Sequence, residues 1–295
     1  MNSTGARALI DVLLEQGVDT VFGYPGSAVL DIYDELYKCD KIRHILTCHE
    51  QAAAHAADGY ARATGRTGVV IATSGPGATN LVTGIAAAYM DSSPVVAITG
   101  NVKTSLLGSD SFQEVDIAGV TMPVTKYSFI ASGERGVAQD VREAFSIAQS
   151  GRKGPVLVDI PADIAAQSEE YERAPKSEPA PAKEPEEDEL ERAAQMIEKA
   201  KRPLIYVGGG AISSGASDAL KTFAQKLHIP VACSMMGLGA YPCSAELFLG
   251  LVGMHGNPAA NMAALNCDLL IAAGARFSNR VAASKESFAP KAKII

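Results

Sequence analysis

The sequence is poor in cysteine and lacks the cysteine spacings that indicate a metal site or a redox pair. Its 295 residues contain five cysteines, an odd number without a C-x-x-C pair. We interpret them as reduced thiols of a cytoplasmic protein, mostly in the core, with Cys48 as the one catalytic candidate. The five histidines show neither H-E-x-x-H nor mixed Cys/His spacing, so the sequence predicts no metal ligands.

Several other signals are missing as well. No basic segment followed by an apolar one opens the chain, and no apolar run approaches the roughly 20 residues that cross a bilayer, so we expect neither a signal peptide nor a membrane span. A formal net charge of −7 argues against nucleic acid and anionic membranes as partners. The absence of G-x-x-x-x-G-K-[ST] and of G-x-S-x-G argues against P-loop and α/β-hydrolase chemistry.

What is present indicates a globular α/β protein. Hydrophobic residues make up 47% of the chain and charged residues 20%. Strands of buried type alternate with helical segments, which predicts two parallel sheets flanked by helices. We assign residues 1–165 to a first domain, 166–188 to a solvated linker with several prolines, and 189–295 to a second domain. Because the chain stops inside what reads as a strand, we expect this second domain to be incomplete.

One junction between predicted elements carries a carboxylate. Residues 42–47 alternate like a strand, and residues 52–64 are rich in alanine at helical spacing. Glu50 therefore falls at the carboxyl edge of a parallel sheet, where ligands bind in this fold class. A glutamate at this point also complements the positive end of the helix dipole, and the junction alone does not separate the two roles.

Two glycine-rich turns and one irregular segment complete the pattern. The turns Gly75-Pro76-Gly77 and Gly208-Gly209-Gly210 follow predicted strands. Neither has G-x-G-x-x-G spacing, so phosphate binding and a plain tight turn stay equal alternatives. Residues 100–119 mix Gly, Ser, Asp and Gln without clear periodicity, which predicts a long surface loop of the kind that is often functional.

The order of the motifs is more specific than any one of them. In the first domain the segments are Tyr24-Pro25-Gly26, His49-Glu50-Gln51-Ala52-Ala53, Gly59-Tyr60-Ala61-Arg62, Thr73-Ser74-Gly75-Pro76-Gly77-Ala78-Thr79-Asn80 and Phe112-Gln113-Glu114. In the second domain they are Val207-Gly208-Gly209-Gly210, Met236-Gly237-Leu238-Gly239, Met254-His255-Gly256 and Gly274-Ala275-Arg276-Phe277. Together they resemble the thiamine-diphosphate enzymes that act on 2-keto acids, and within them the large subunits of acetolactate synthase (acetohydroxyacid synthase).

The resemblance implies a domain plan and an activity. A pyrimidine-binding domain would be followed by a Rossmann-like, flavin-binding middle domain and by a third domain that binds the diphosphate through Mg²⁺. The third domain's signature, G-D-G followed by N-N, is absent from this sequence, so the match covers the N-terminal half of the family's chains. The implied activity is decarboxylation of pyruvate and transfer of the two-carbon unit to a second 2-keto acid, in branched-chain amino acid biosynthesis. The implied partners are further copies of the chain, in a homodimer or larger assembly, and a small regulatory subunit.

The resemblance also assigns roles to individual residues. Glu50 would bond N1′ of the aminopyrimidine and so help the cofactor to lose its C2 proton. The other thiamine-diphosphate contacts would be Pro25, Gly26, Gly75 and Asn80. Phe112 and Gln113 would lie near the substrate and Lys126 beside the access to it; an ordinary loop and a surface lysine are the alternatives. FAD, which the family is thought to use structurally, would contact Arg152, Gly208, Gly209, Met254, His255, Gly256, Gly274 and Arg276.

Other interpretations remain open at this point. A related enzyme, such as a pyruvate oxidase, a flavin-free acetolactate synthase or another 2-keto acid decarboxylase, would share the broad motifs. A folded but catalytically incomplete fragment would share all of them. One departure from the family also stands out, because its Arg-Phe-Asp-Asp-Arg segment reads Arg276-Phe277-Ser278-Asn279-Arg280 here and has lost both acidic residues.

Overall fold

The computed structural model describes residues 2–177, 184–282 and 288–295. The chain divides into two compact units, Met1–Ala182 and Lys183–Ile295. Each unit contains a parallel sheet flanked by helices, which confirms the predicted fold class. Within the described ranges, no helix combines the length and the apolar character that crossing a membrane requires.

The elements of the first unit follow one another as strand and helix. Its strands are β1 (Asn2–Thr4), β2 (Thr20–Tyr24), β3 (Arg43–Leu46), β4 (Gly68–Ala72), β5 (Val95–Asn101), β6 (Tyr127–Ile130), β7 (Val156–Pro161) and β8 (Ser168–Glu170). Its helices are α1 (Gly5–Glu15), α2 (Leu30–Tyr37), α3 (Glu50–Thr64), α4 (Pro76–Asn80), α5 (Val82–Asp91), α6 (Ile117–Thr121), α7 (Val137–Gln149) and α8 (Ala162–Ala166). Short 3₁₀ turns occupy Ser27–Val29, Thr104–Leu106 and Met122–Val124.

Six of these strands form the main sheet, in the order β3-β2-β4-β5-β7-β6. Every residue of β4 and β5 is buried, because helices cover both faces of the sheet. Alternate side chains enter different cores: Ile71 packs with the apolar faces of α1 and α7, whereas Val70 packs with α3 and α5. Each aliphatic side chain buried in this way stabilises the fold by about 1.5–3 kcal/mol.

The strand order creates a crevice at one point of this sheet. The chain passes from β2 to β3 on one side and then returns through α3 to β4 on the other side of β2. The carboxyl ends of β2 and β4 therefore lie side by side while their following segments diverge. Ligands of open α/β sheets bind at such a switch point.

The predicted linker differs from the structure in its first part. Strand β8 pairs antiparallel with β1, and the chain after it stays attached to α1. Glu15 accepts hydrogen bonds from the Tyr171 hydroxyl at 2.6 Å and from the N–H of Ala174 at 2.9 Å. The prolines and charged residues predicted a solvated segment here, but the buried Glu15 carboxylate on α1 binds it through these hydrogen bonds. Residues 178–183 of the predicted linker lie outside the described residues.

The second unit has a smaller sheet of the same kind. Its strands are β9 (Pro203–Val207), β10 (Val231–Cys233), β11 (Phe248–Leu251), β12 (Leu269–Ala273) and β13 (Lys293–Ile294). Its helices are α9 (Glu187–Lys199), α10 (Gly209–Ser213), α11 (Ser217–Leu227) and α12 (Pro258–Asn266), with a 3₁₀ turn at Met235–Gly237. The described strands are all parallel, in the order β11-β10-β9-β12-β13. The switch point of this sheet therefore lies between β9 and β12.

Candidate active site

Glu50 is the first residue of α3 and lies beside the switch point of the first unit. His49 caps this helix, because its Nδ1 accepts a hydrogen bond from the N–H of Gln51 at 3.1 Å. The Glu50 side chain is largely buried, with the residue 9% exposed. Its Oε2 accepts a hydrogen bond from Nδ2 of Asn80, at the end of α4, at 2.9 Å. The helix start and Asn80 together hold the carboxylate in one orientation.

Glycines leave room around this carboxylate. A β-carbon at Gly77 would lie 3.3 Å from Glu50 Oε1 and 2.7 Å from the Thr73 methyl group. A β-carbon at Gly26 would lie 2.5 Å from the same methyl group, so the turn after β2 packs directly on the turn after β4. The two turns that flank the crevice are thus held together through Thr73, whose hydroxyl also accepts a hydrogen bond from Ala28 N–H at 3.2 Å.

Gln113 belongs to the same cluster. A β-carbon at Gly75 would lie 2.7 Å from the carbonyl oxygen of Gln113, so the loop packs on the glycine turn without intervening side chains. Gln113 has a φ of 57°, in the left-handed region that costs a non-glycine residue about 1–2 kcal/mol. The neighbouring Phe112 is 85% exposed. The structure therefore brings together Glu50, Asn80, Gly75, Gly26 and Gln113, with Pro25 next to Gly26 in the turn.

Two residues with predicted roles lie at the opposite edge of this sheet. Lys126 precedes β6, and its Nζ donates to the carbonyl oxygens of Ile147 and Ser150 at the end of α7. Burial lowers the pKa of this lysine. Arg152 precedes β7 and donates to Ser92 Oγ at 2.8 Å. Within the first unit, neither residue is brought together with Glu50.

Two titratable groups elsewhere in the first unit have raised pKa values. Burial and the charge of Glu50 raise the pKa of Tyr33, whose hydroxyl lies 3.3 Å from His44 Nε2. Asp159 on β7 is fully buried and accepts hydrogen bonds from Thr99 Oγ1 at 2.6 Å and from Asn101 Nδ2 at 2.5 Å. Burial raises the pKa of Asp159 to about 6, against the effect of those two donors.

In the second unit the switch point is lined by main chain. A β-carbon at Gly208 would lie 2.4 Å from the carbonyl oxygen of Gly274, and Gly210 N–H donates to that oxygen at 2.9 Å. Gly274 itself has a φ of 57° and approaches the Ala211 nitrogen so closely that a β-carbon would lie 2.3 Å away. A β-carbon at Gly209 would lie 3.0 Å from the Met236 carbonyl oxygen. The segments after β9, β10 and β12 are thus in main-chain contact.

The other predicted flavin residues lie at the same edge of this sheet. Met254 and His255, both exposed, follow β11 in a loop that turns at Gly256. Met254 N–H donates to the carbonyl of Arg280 at 2.8 Å. The Tyr206 hydroxyl donates to the carbonyl of Arg276 at 3.0 Å and so holds the segment after β12.

The described part of the chain contains no group of three or more His, Cys, Asp or Glu side chains that could hold a metal ion. From the sequence alone, neither Asp159 nor Thr73, which was quoted only within a motif, received an individual role. A threonine directly after a buried strand, and an aspartate inside the apolar run 156–160, are the signals that point to them. Each polar residue interrupts an apolar pattern at the carboxyl edge, where a polar side chain needs a partner.

Comparison with known families matches both units. The model described as thiamine pyrophosphate enzyme, N-terminal TPP binding domain, covers residues 3–120, and the model described as thiamine pyrophosphate enzyme, central domain, covers residues 190–295. The chain belongs to the thiamine pyrophosphate (thiamine diphosphate) enzymes.

Within this class, the chain is similar to proteins named acetolactate synthase large subunit. It is 51% identical over 295 residues to the protein from Corynebacterium glutamicum, a match that covers 99% of this chain and 47% of that protein. It is 50% identical to the probable acetolactate synthase large subunit of Methanocaldococcus jannaschii, over 99% of this chain and 50% of the relative. It is 46% identical to the acetolactate synthase isozyme 3 large subunit of Escherichia coli K12, over 99% and 52%. The chain thus spans about half the length of these relatives.

Proposed function

We propose that the protein acts as an acetolactate synthase-type transferase, which decarboxylates pyruvate and transfers the two-carbon unit to a second 2-keto acid in branched-chain amino acid biosynthesis. The observation that carries the proposal is the largely buried Glu50 carboxylate at the switch point, fixed by Asn80 and bordered by Gly77. The names of the relatives support it, because these proteins are 46–51% identical to this chain over 99% of its length.

The crevice of the first unit fits an aminopyrimidine. Glycines stand on both of its sides, and the space beside Glu50 Oε1 is one that a side chain at position 77 would reduce. When bound, thiamine diphosphate would supply the electron sink that decarboxylation of a 2-keto acid needs. Pro25, Gly26, Gly75 and Asn80 would line its site.

Glu50 would act on protons. The Asn80 amide engages Oε2 and leaves Oε1 directed toward Gly77, so a proton held between Oε1 and a ring nitrogen would have a fixed position. General acid–base catalysis by a positioned side chain typically contributes 10²–10⁴-fold. Gln113, held against Gly75, and the exposed Phe112 would contact the 2-keto acid. Lys126 is retained as a candidate for the access to the site in the assembled enzyme.

We further propose that the second unit binds FAD. A crevice at the β9/β12 switch point suits a dinucleotide, and the main-chain contacts of Gly208, Gly209 and Gly274 keep that crevice free of side chains. Met254, His255, Gly256 and Arg276 would complete the contacts in this unit, and Arg152 is retained as a candidate flavin contact in the assembled enzyme. Because Ser278 and Asn279 are uncharged, any flavin contact made by the family's acidic pair would be absent. Mg²⁺ would bind with the diphosphate through a third domain.

The assembly is also part of the proposal. The family's architecture implies at least a homodimer, and the words "large subunit" in the relatives' names support a small regulatory partner. A cytoplasmic location agrees with five free cysteines, two of them buried.

Acetolactate formation tests the proposal. Pyruvate, thiamine diphosphate, Mg²⁺ and FAD are supplied to the chain, alone and together with a chain that carries the G-D-G and N-N signature. We expect acetolactate in the second case and about 100-fold less with Glu50→Gln. Oxygen consumption in place of acetolactate would support a pyruvate oxidase, and active enzyme without bound flavin would support the flavin-free type. No product in either case would contradict the proposal.

A further inference from the structure

The loop at residues 102–116, which joins β5 to α6 and carries Gln113, is held together from within. Gly108 N–H donates to Glu114 Oε1 at 3.0 Å, and Glu114 N–H donates to the Ser111 carbonyl at 3.0 Å. Asp110 and Gln113 both adopt left-handed φ angles, of 53° and 57°. These internal bonds restrict the shape of the loop, so its contacts at the root help to decide where Gln113 lies.

Two aspartates hold that root. On β7, Asp159 accepts from Asn101, whose own Oδ1 accepts from the N–H of Val102 at 2.8 Å. Four residues further along, Asp163 accepts from the N–H of Thr104 at 2.9 Å through Oδ1 and from the Thr104 hydroxyl at 2.5 Å through Oδ2. Desolvation raises the pKa of Asp163, but these hydrogen bonds outweigh it and leave the pKa below its ordinary value.

The carboxyl end of β5, from which the loop starts, also packs on the turn after β2. A β-carbon at Gly100 would lie 2.4 Å from the Ala28 carbonyl oxygen, so the end of β5 packs on the segment that follows Gly26. The Asp163 carboxylate, by contrast, bonds Thr104 on the loop side of this junction, besides main-chain N–H groups of its own helix. A change at Asp163 should therefore move the loop and leave the Glu50–Asn80 contact in place.

We propose that Asp163 is a positioning residue, which clamps Thr104 through both carboxylate oxygens and thereby holds the 102–116 loop so that Gln113 lies against Gly75. The inference rests on the proposed function only for the substrate contact of Gln113. The clamp itself is a property of the chain, and the second unit offers a matched case: Asp268 accepts from the N–H groups of Lys201 and Arg202 at 2.8 and 2.9 Å.

Hydrogen exchange in the full chain tests the clamp without any activity. We expect Asp163→Ala to accelerate amide exchange across residues 102–116 about tenfold or more. Asp163→Asn should restore at least half of the protection, because its amide oxygen still accepts from Thr104 N–H and its N–H₂ can donate to the hydroxyl oxygen. Asp268→Ala is the matched control and should leave the loop unchanged. Equal exchange in Asp163→Ala and wild type, or equal acceleration in Asp268→Ala, would overturn the inference.

Kinetics in the acetolactate assay test the positioning role. Asp163→Ala should raise the KM for pyruvate several-fold while the dissociation constant for thiamine diphosphate stays within twofold of wild type. A parallel loss of cofactor affinity would indicate general disruption and overturn the role. If wild-type protein forms no acetolactate, the proposed function fails, whereas the exchange measurements still decide whether Asp163 clamps the loop.

Discussion

The two units have the same kind of switch point but line it with different groups. In the first, two side chains meet at the switch point, the Glu50 carboxylate and the Asn80 amide. In the second, the groups in contact are main-chain atoms of Gly208, Gly210 and Gly274. A crevice lined by titratable side chains can hold and move protons, whereas one lined by peptide groups can bind and orient a ligand. Under the proposed function, this difference favours the first unit as the place of the reaction and the second as a binding support.

The largest effect should come from removing the proton-bearing group. Glu50→Gln keeps the shape of the side chain and an acceptor for Asn80, so the fold should stay intact. The rate of acetolactate formation should fall by about 10²–10⁴-fold, because an amide cannot exchange the proton. Glu143→Gln, at an exposed ion pair with Arg135, is the control and should change the rate less than twofold. A Glu50→Gln variant with more than a tenth of the wild-type rate would contradict the role of Glu50.

In the second unit the corresponding sensitive residue is a glycine. Gly274→Ala should destabilise the fold by about 2–5 kcal/mol, since left-handed strain and overpacking against the Ala211 nitrogen add together. Gly215 is the matched control: it has a φ of 72° with open space around it, so Gly215→Ala should cost only the strain, about 1–2 kcal/mol. Urea unfolding of both variants measures the difference. Equal losses would mean that the close approach at the switch point is not rigid.

Asp159 gives the first unit a pH dependence. Burial raises the pKa of Asp159 from its ordinary value of 3.8 to about 6 in the folded protein. Between these two pH values the folded state therefore keeps a proton that the unfolded chain has lost. This group's contribution to the free energy of unfolding therefore decreases as pH rises from about 4 to 6, by at most about 3 kcal/mol, and is constant above.

Asp159→Asn should remove that decrease. The free energies of unfolding at pH 4.5 and 7.5 should differ less in the variant than in wild type. The lost hydrogen bonds lower both values equally and so do not affect this difference. Asp19→Asn serves as the control, because its ion pair with Arg66 lowers the pKa of Asp19 to about 2, outside this window. An unchanged slope in Asp159→Asn would show that the carboxylate does not titrate near 6.

The sequence predicted the periodic parts of this molecule well and the irregular parts poorly. Buried strands such as β4 and β5 and the long helix α3 follow from apolar periodicity alone. Helix α6 and strand β6 lie in and just after the segment expected to be a loop, and their local sequence signals are weak. Tertiary contacts stabilise them: Ser128 Oγ, for example, donates to the carbonyl of Ala118 at 2.8 Å. The docking of the segment after β8 likewise depends on Glu15, which bonds Tyr171 and Ala174 from more than 150 residues earlier.

The site followed the same rule. Glu50 could be located from a strand–helix junction, but its partner Asn80 lies 30 residues away and entered only through the family resemblance. The position of Gln113 against Gly75 depends on a loop conformation that no periodicity encodes. Lys126 and Glu50 lie at opposite edges of the sheet, because Lys126 precedes β6 whereas Glu50 follows β3.

The smallest effect we predict compares two glycines of the first unit. Gly77→Ala should cost about 1 kcal/mol of stability, because the Thr73 methyl must shift while its hydroxyl stays bonded to Ala28. Gly59 lies inside α3 with open space around it, so Gly59→Ala should stabilise the fold by about 0.5–1 kcal/mol. Thermal unfolding of the two variants should therefore shift in opposite directions.

Binding of thiamine diphosphate separates the two variants further. A methyl group at position 77 would stand 3.3 Å from Glu50 Oε1, in the space proposed for the pyrimidine, so the dissociation constant should rise several-fold. Gly59→Ala should leave it unchanged, since no described atom outside the adjoining backbone of α3 lies within 4 Å of the new methyl group. If Gly77→Ala loses stability but binds the cofactor as wild type does, the space beside Oε1 is not the pyrimidine site, and Gly77 serves only the packing of the turn against Thr73.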